Sequence, residues 1–409
     1  MERFRSKSPI LAAVLIVLSA AKPSINTVQF IGHNTLRSSV IGYAGVRATS
    51  DSLKAMQNLL ARELDDGAWG LTTGLIYQPG KYSDEAEVTA LAKTAAAKGG
   101  FYATHMRSEG ERILEAIDEV LRLVENTGIR AEISHLKTAG RQNWHKIDAV
   151  VEKISNAVQK GDLLGSDRYP YTAAGTDLDV VLSDWAGEGG LAEELKRLEN
   201  PAMRKKIINE INSSPRDWRD VMIGGTWHDS TRQYCGRRVA DILEGKTPGE
   251  LVVEILLADR GRTGAFFFSM SENNMRKILA QPWILPGSDA SLRAPRGQLG
   301  RDHPHPRAYS TMPRFYRILR ELGVSREEAV RRMTSAAADR FGIKGRGRLE
   351  KGAFADVIVW REDAFRETAT FEHPHAFCTG MEAVVVNGAL SFRKGTFAPS
   401  GKGRFLERS

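Results

Sequence analysis

The sequence predicts an α/β fold built as a parallel (β/α) barrel, with a small β domain at its C-terminal end. Three observations predict it. Short β-like runs alternate with longer helical stretches, the pattern of a parallel sheet wrapped by helices. Several runs end on a histidine or an aspartate, where catalytic residues sit at the C-terminal rim of such strands. Towards the C-terminus the helical periodicity gives way to short strands and turn residues.

The elements follow in order. The β-like runs are Thr27–His33, Gly70–Ile76, Phe101–Met106, Arg130–Leu136, Leu163–Tyr171 and Trp283–Asp289. Ser83–Lys98 reads as a helix that opens on Ser-Asp-Glu and stops at Gly99-Gly100. Glu109–Thr127 carries Ile113, Ala116, Ile117, Val120, Leu121 and Val124 at helical spacing. Ile147–Gln159 repeats the pattern through Ile147, Val150, Val151, Ile154 and Val158, and stops before Gly161. The charged segment from Leu191 to Arg262 reads as an insertion between the last two barrel strands, a lid or gating region. Beyond the turn-rich Gly347–Gly352, strands are expected over Ala355–Trp360, Glu382–Asn387 and Ala389–Arg393, with Asn387-Gly388 as a hairpin turn.

Composition bounds the function. A chain of 409 residues accommodates a barrel with a small second domain. With 42% hydrophobic and 26% charged residues it is a folded chain, not a disordered one. The net charge of +8 is spread among acids, as in Glu109–Arg112 and Arg326–Arg332, with no basic stripe interleaved with aromatics. This favours a solvated basic surface over nucleic-acid binding. Cys235 and Cys378 lie far apart and outside any CxxC, so neither a disulfide framework nor a cysteine zinc site is supported. Arg3, Arg5 and Lys7 precede the apolar run Ile10–Ala21, which is too short for a standard membrane span. It has the shape of a signal peptide; the alternatives are a buried helix or residues from a misassigned start. The expected location is cytoplasmic without stable membrane association, or secreted or periplasmic if residues 1–21 act as a signal.

The chemistry lies at the strand ends. His105 ends Tyr102-Ala103-Thr104, His135 ends Ala131-Glu132-Ile133-Ser134, and Asp289 ends Ile284-Leu285-Pro286-Gly287-Ser288. In a parallel barrel these side chains would converge although distant in sequence. Two imidazoles and a carboxylate are natural zinc ligands. A metal polarises an amide carbonyl and acidifies water, and a carboxylate beside that water can pass its proton to a leaving nitrogen. Each residue alone has a plainer reading: a histidine bonded in a loop, or an aspartate in a Gly-Ser-Asp turn. Their joint placement favours a site. His33 also ends a run, but Gly-His-Asn-Thr reads as a polar turn and helix cap. His303 and His305 read as loop residues.

At these residues the sequence resembles the D-aminoacylases, the N-acyl-D-amino-acid deacylases of the amidohydrolase superfamily. The matching segments are Gly32–Arg37, Gly70–Tyr77, His105–Gly110, Ser134–Lys137, Tyr169–Tyr171, Gly287–Asp289, His305–Arg307, Arg348–Gly352 and Ala355-Asp356. They run from about Ala20 to the C-terminus. The resemblance implies that His105 and His135 ligate Zn2+, one or two divalent ions being bound in the family. It makes Asp289 the general acid/base and Arg307 the clamp on the substrate carboxylate, for which a guanidinium fork is suited. Lys137, Tyr77 and Tyr169 match positions that hold the substrate, a small-molecule N-acyl amino acid. Gly175 stands where the family often has serine.

One departure stands out. The resemblance implies a first barrel strand ending His-x-His and a metal-ligating cysteine on the second. No His-x-His precedes Thr27 and no cysteine precedes Cys235. The first β-like run resembles the third barrel strand. The expectation is therefore an incomplete barrel, strands 3 to 8, as from a gene fragment, frameshift or misassigned start. It would comprise an unmatched segment 1–20, a partial barrel over 21–345 with the insertion near 191–262, and the C-terminal part of a small β-sandwich over 346–409. An impaired or inactive fragment is the alternative to an active deacylase.

Overall fold

A computed structural model of the chain describes residues 14, 17, 20–161, 163–398 and 401–408. The signal-like run Ile10–Ala21 falls mostly outside the described residues. Among the described residues no helix is long and apolar enough to cross a membrane.

Strands β1 (Ile31–Gly32), β2 (Gly70–Gly74), β3 (Phe101–His105), β4 (Arg130–Ile133) and β5 (Leu164–Arg168) pair in parallel, each beside the next. The chain then leaves this sheet for β6 (Ala174–Asp177), β7 (Val221–Ile223) and β8 (Gly264–Phe267). It returns as β9 (Ile284–Pro286), parallel to β5. Among the described residues β1 and β9 are the edges of this six-stranded sheet. The register levels the strand ends: Gly74 faces His105, Ile133 faces Ser166, and Arg168 faces Pro286. Residues that end or just follow β3, β4, β5 and β9 therefore share one rim. Within this sheet the run expected over Thr27–His33 pairs at Ile31–Gly32. His33 instead opens the helix His33–Val40, with Gly32 as its N-cap and no side-chain cap.

Helices cover the sheet where the apolar spacing placed them. Asp84 accepts a hydrogen bond from the backbone N–H of Glu87 and starts Glu85–Ala97, which buries Val88, Leu91, Ala92 and Ala95. The helix Ile113–Thr127 buries Ile113, Ala116, Ile117, Val120, Leu123 and Val124. Leu121, expected in that stripe, is only half-buried. The helix ends at Gly128, whose φ of 64° is the left-handed conformation glycine takes without cost. Each such fully buried aliphatic side chain contributes about 1.5–3 kcal/mol. Ile117→Ala, at a fully buried position, would cost about 2–5 kcal/mol.

The excursion between β5 and β9 is a lobe with its own core. Its antiparallel sheet runs β6-β8-β7. Behind it pack the helices Leu191–Glu199, Pro201–Ser213 and Pro248–Ala258, the last held by a Thr247/Glu250 capping box. Leu198, Ile207, Ile211, Val252 and Leu256 fill its interior. The lobe exceeds the insertion expected near 191–262 because Ala174–Asp177 pairs with Gly264–Phe267 across the whole excursion.

At the C-terminal end β10 (Val357–Trp360), β11 (Met381–Val386), β12 (Ala389–Arg393) and β13 (Thr396–Phe397) form one antiparallel sheet. Asn387 and Gly388 turn between β11 and β12 with φ of 48° and 80°, the double positive φ that this dipeptide favours. The following residues return to the barrel: Thr27 bridges Phe405, and Trp69 Nε1 donates to the carbonyl of Leu406.

Candidate active site and metal centre

Strand geometry brings His105 and His135 together. His105 is the last residue of β3, and His135 follows β4 by two residues, with a φ of 42°. Such a left-handed value on a residue other than glycine is uncommon and clusters at functional positions. The two rings lie 4.6 Å apart at 72°. Glu109, four residues beyond His105, turns its carboxylate between them. Oε1 is 2.9 Å from His135 Nδ1, and Oε2 is 3.7 Å from His105 Nε2. One ligand atom from each of His105, Glu109 and His135 lies within 4.8 Å of the others.

This set fits a divalent cation. Two imidazoles and a carboxylate are the donors zinc takes. Nε2 of His105 is buried without a hydrogen-bond partner, a lone pair that a cation would satisfy. Burial pushes the His105 imidazole down to about 4, so it stays neutral, as a ligand must be. Burial would raise Glu109, but the charges of Lys137, His105 and His135 hold its carboxyl well below the usual range.

Glu109 is not among the ligands expected from the sequence, where it heads a mixed charge run and the helix Glu109–Thr127 and falls in the matched segment His105–Gly110. Its spacing of four from His105 was the available signal. Asp167 was missed too. It lies on β5 beneath the site, and its Oδ1 accepts the backbone N–H of His135 at 2.9 Å, fixing the loop of that candidate ligand. Burial raises its pKa, against the pull of His135. The same carboxylate explains Gly287: a Cβ there would meet Asp167 Oδ1 at 2.2 Å.

Lys137 is buried, and its ammonium pairs with Glu109 and stands 2.8 Å from His135 Nδ1. Tyr77 packs edge-on against His105 at 5.1 Å, and its hydroxyl lies 3.3 Å from Thr176 Oγ1. Burial lifts its phenol to about 12, so it remains a neutral donor. Tyr169 is 1% exposed; its ring lies under the guanidinium of Arg307 at 4.6 Å.

Asp289 follows β9 with a φ of 48° and reaches Arg307, which opens the helix Arg307–Glu321. Arg307 Nη1 is 2.8 Å from Asp289 Oδ2, and Nη2 donates to the carbonyl of Gly175 at 3.3 Å. Both residues line a cavity of about 280 Å3 between the rim and the lobe, with Gly175, Thr176 and Phe266 on the lobe side.

Three other histidines bond within the protein. His33 lies 2.7 Å from Glu87, which also takes Arg37. His305 Nε2 lies 3.0 Å from the carbonyl of Ala173, and its Nδ1 accepts the backbone N–H of Arg307, which seats that residue. His303 Nε2 bonds the carbonyl of Phe371.

Residues 244–392 match the amidohydrolase family. The chain is 32% identical over 402 residues to a D-aminoacylase of Alcaligenes xylosoxydans xylosoxydans, covering 97% of this chain and 73% of the relative. It is 31% identical to an N-acyl-D-glutamate deacylase of the same organism, covering 98% and 74%. The crystal structure of the N-acyl-D-glutamate deacylase of Bordetella bronchiseptica superposes with a TM-score of 0.79 at 30% identity, covering 98% of this chain and 75% of that one. That enzyme was crystallised with zinc and a phosphonate inhibitor that mimics the tetrahedral intermediate of its reaction. The fold, the rim and these relatives agree, and the chain belongs to the D-aminoacylase family of amidohydrolases.

Proposed function

We propose that this chain is a metal-dependent hydrolase of the linear amide bond of N-acyl-D-amino acids, releasing the free D-amino acid and a carboxylate. The observation that carries the reading is the shared rim. His105, Glu109 and His135 gather their ligand atoms within 4.8 Å, and the Asp289–Arg307 pair stands beside a cavity on the same rim.

His105 and His135, with Glu109, would hold a divalent metal, zinc by preference from the imidazole donors. Held there, it would supply polarisation of an amide carbonyl and acidification of a water. Arg307 takes the substrate's α-carboxylate by two charge-assisted hydrogen bonds, and Tyr169 keeps its guanidinium in plane. Asp289 receives the water proton at its carboxylate and hands it to the leaving nitrogen as the C–N bond breaks. The Tyr77 hydroxyl and the Lys137 ammonium are the donors available to the acyl and carboxylate oxygens.

The test is release of free D-amino acid from N-acetyl-D-amino acids, with the L enantiomers as controls. Zinc-dependent release that Asp289→Ala abolishes is expected. An unchanged rate in that variant overturns the mechanism.

A second reading, a chain that holds its ligand without turnover, is favoured by Lys137. Its ammonium already stands against Glu109 and His135 and competes with a metal for both. Metal analysis of the purified chain bears on the two readings: stoichiometric zinc counts against the second.

A further inference from the structure

A second cavity, of about 400 Å3, adjoins the first, and the two share Thr176 and Asp177. Its lining is the more acidic of the two. The first holds Arg307; the second carries Asp177 at the end of β6, Asp179 just beyond it, and Glu194 from the helix Leu191–Glu199. Tyr77, which packs on His105, stands between site and pocket.

Glu194 supplies an observation independent of the two aspartates. It is 5% exposed and lines this cavity, yet its Oε1 is buried with no hydrogen-bond partner. Oε1 of Gln78, on the barrel side of the same cavity, is also buried without one. Buried acceptors of this kind are costly unless a ligand satisfies them. The neighbouring cations are engaged elsewhere. Lys81 pairs with Asp184, and Arg197 Nη1 donates to the carbonyls of Ala186 and Glu188. Crowding shows in the carboxyls themselves: burial first, then their mutual charge, raises Asp179 to about 6 and Glu194 to about 8.

The spacing argues against a small ion. Among the described residues three ligand atoms gather within 4.8 Å only at His105, Glu109 and His135. Carboxylates set wider apart suit an organic cation, whose several N–H groups point in different directions. Tyr43 and Tyr77 line the same cavity, and aromatic rings attract such cations.

We infer that this pocket is a subsite for an ammonium or guanidinium group of the substrate, so that the chain selects N-acyl-D-amino acids with a basic side chain; the inference rests on the deacylase reading above. With the α-carboxylate on Arg307 and the scissile amide facing Asp289, the side chain leaves past Thr176 into the acidic pocket. Its cation then meets Asp177, Asp179 and Glu194.

N-acetyl-D-arginine and N-acetyl-D-citrulline test this, because they share length and shape but differ in charge. Binding to the full chain is measured by calorimetry and, where turnover occurs, as kcat/KM. The arginine compound is expected to be favoured about tenfold or more. Glu194→Gln combined with Asp179→Asn should bring the ratio near one and leave N-acetyl-D-leucine unchanged. The single variant Asp177→Asn gives the same readout should the double variant not fold. Equal handling of the arginine and citrulline compounds by the unsubstituted chain overturns the subsite while N-acetyl-D-leucine is still bound or cleaved. If the chain neither binds nor cleaves any of the three, the deacylase reading falls and the subsite with it.

Discussion

Arg307 Nη1 lies 2.8 Å from Asp289 Oδ2, so the proposed clamp and the proposed base hold each other. An arriving substrate carboxylate competes with Asp289 for that guanidinium. Binding would therefore release the base at the moment it is needed. Asp289→Asn should lower kcat by about 10²–10⁴-fold, the usual worth of a general acid/base, while affinity for the substrate holds or improves. Arg307→Ala should act mainly on KM. It removes charged hydrogen bonds worth about 1.5–3 kcal/mol, a rise in KM of about 10- to 100-fold. Steady-state kinetics on both variants separates the two roles.

Gly287 tests how tightly the rim is built. A Cβ at this position would meet Asp167 Oδ1 at 2.2 Å, and that oxygen holds the backbone of His135. Gly287→Ala should destabilise the chain by about 1–3 kcal/mol and weaken metal binding, although residue 287 touches no metal ligand atom. Chemical denaturation and zinc titration would show both losses; an alanine variant with unchanged zinc affinity would refute the linkage.

Metal should stabilise the fold by mass action, since the donor set forms only in the folded chain. Adding zinc should raise Tm. His105→Ala, His135→Ala and Glu109→Ala should each blunt the rise, whereas Lys137→Met should strengthen it by removing a competing ammonium. Thermal melts across a zinc series read this out directly.

Glu194 makes a pH prediction. Burial raises its folded pKa to about 8, above the ordinary 4.5. Between those values the folded state keeps a proton that the unfolded chain has lost. The corresponding stability is fully present below about 4.5 and is lost as pH rises towards about 8. Glu194→Gln should therefore flatten this fall and be more stable than the unsubstituted chain above about pH 8. Urea denaturation at acid and alkaline pH gives the comparison.

Much of this was legible in the sequence because it is local. Helices over Glu85–Ala97, Ile113–Thr127 and Ile147–Lys160 follow from apolar spacing and stop signals a few residues apart. The Asn387-Gly388 turn follows from the conformations those two residues allow. His105, His135 and Asp289 could be singled out because each ends a β-like run, and parallel strands in register align such ends without further information.

What the tertiary structure alone decided depends on contacts between distant residues. The lobe begins at Ala174 because β6 pairs with β8 across 86 intervening residues, and strands of four residues containing glycine leave little trace in sequence. Glu109 became a candidate third donor, and Asp167 a support for His135, only when folding brought them within 2.9–3.7 Å of the histidines. Arg307 and Asp289 face one another because a loop returns the chain to the rim before the helix Arg307–Glu321 starts. The sequence by itself determined His105, His135 and Asp289 as candidates, since their types and strand-end positions are properties of single segments. The fold decided which of them touch, because contact distances are set by how separate segments pack.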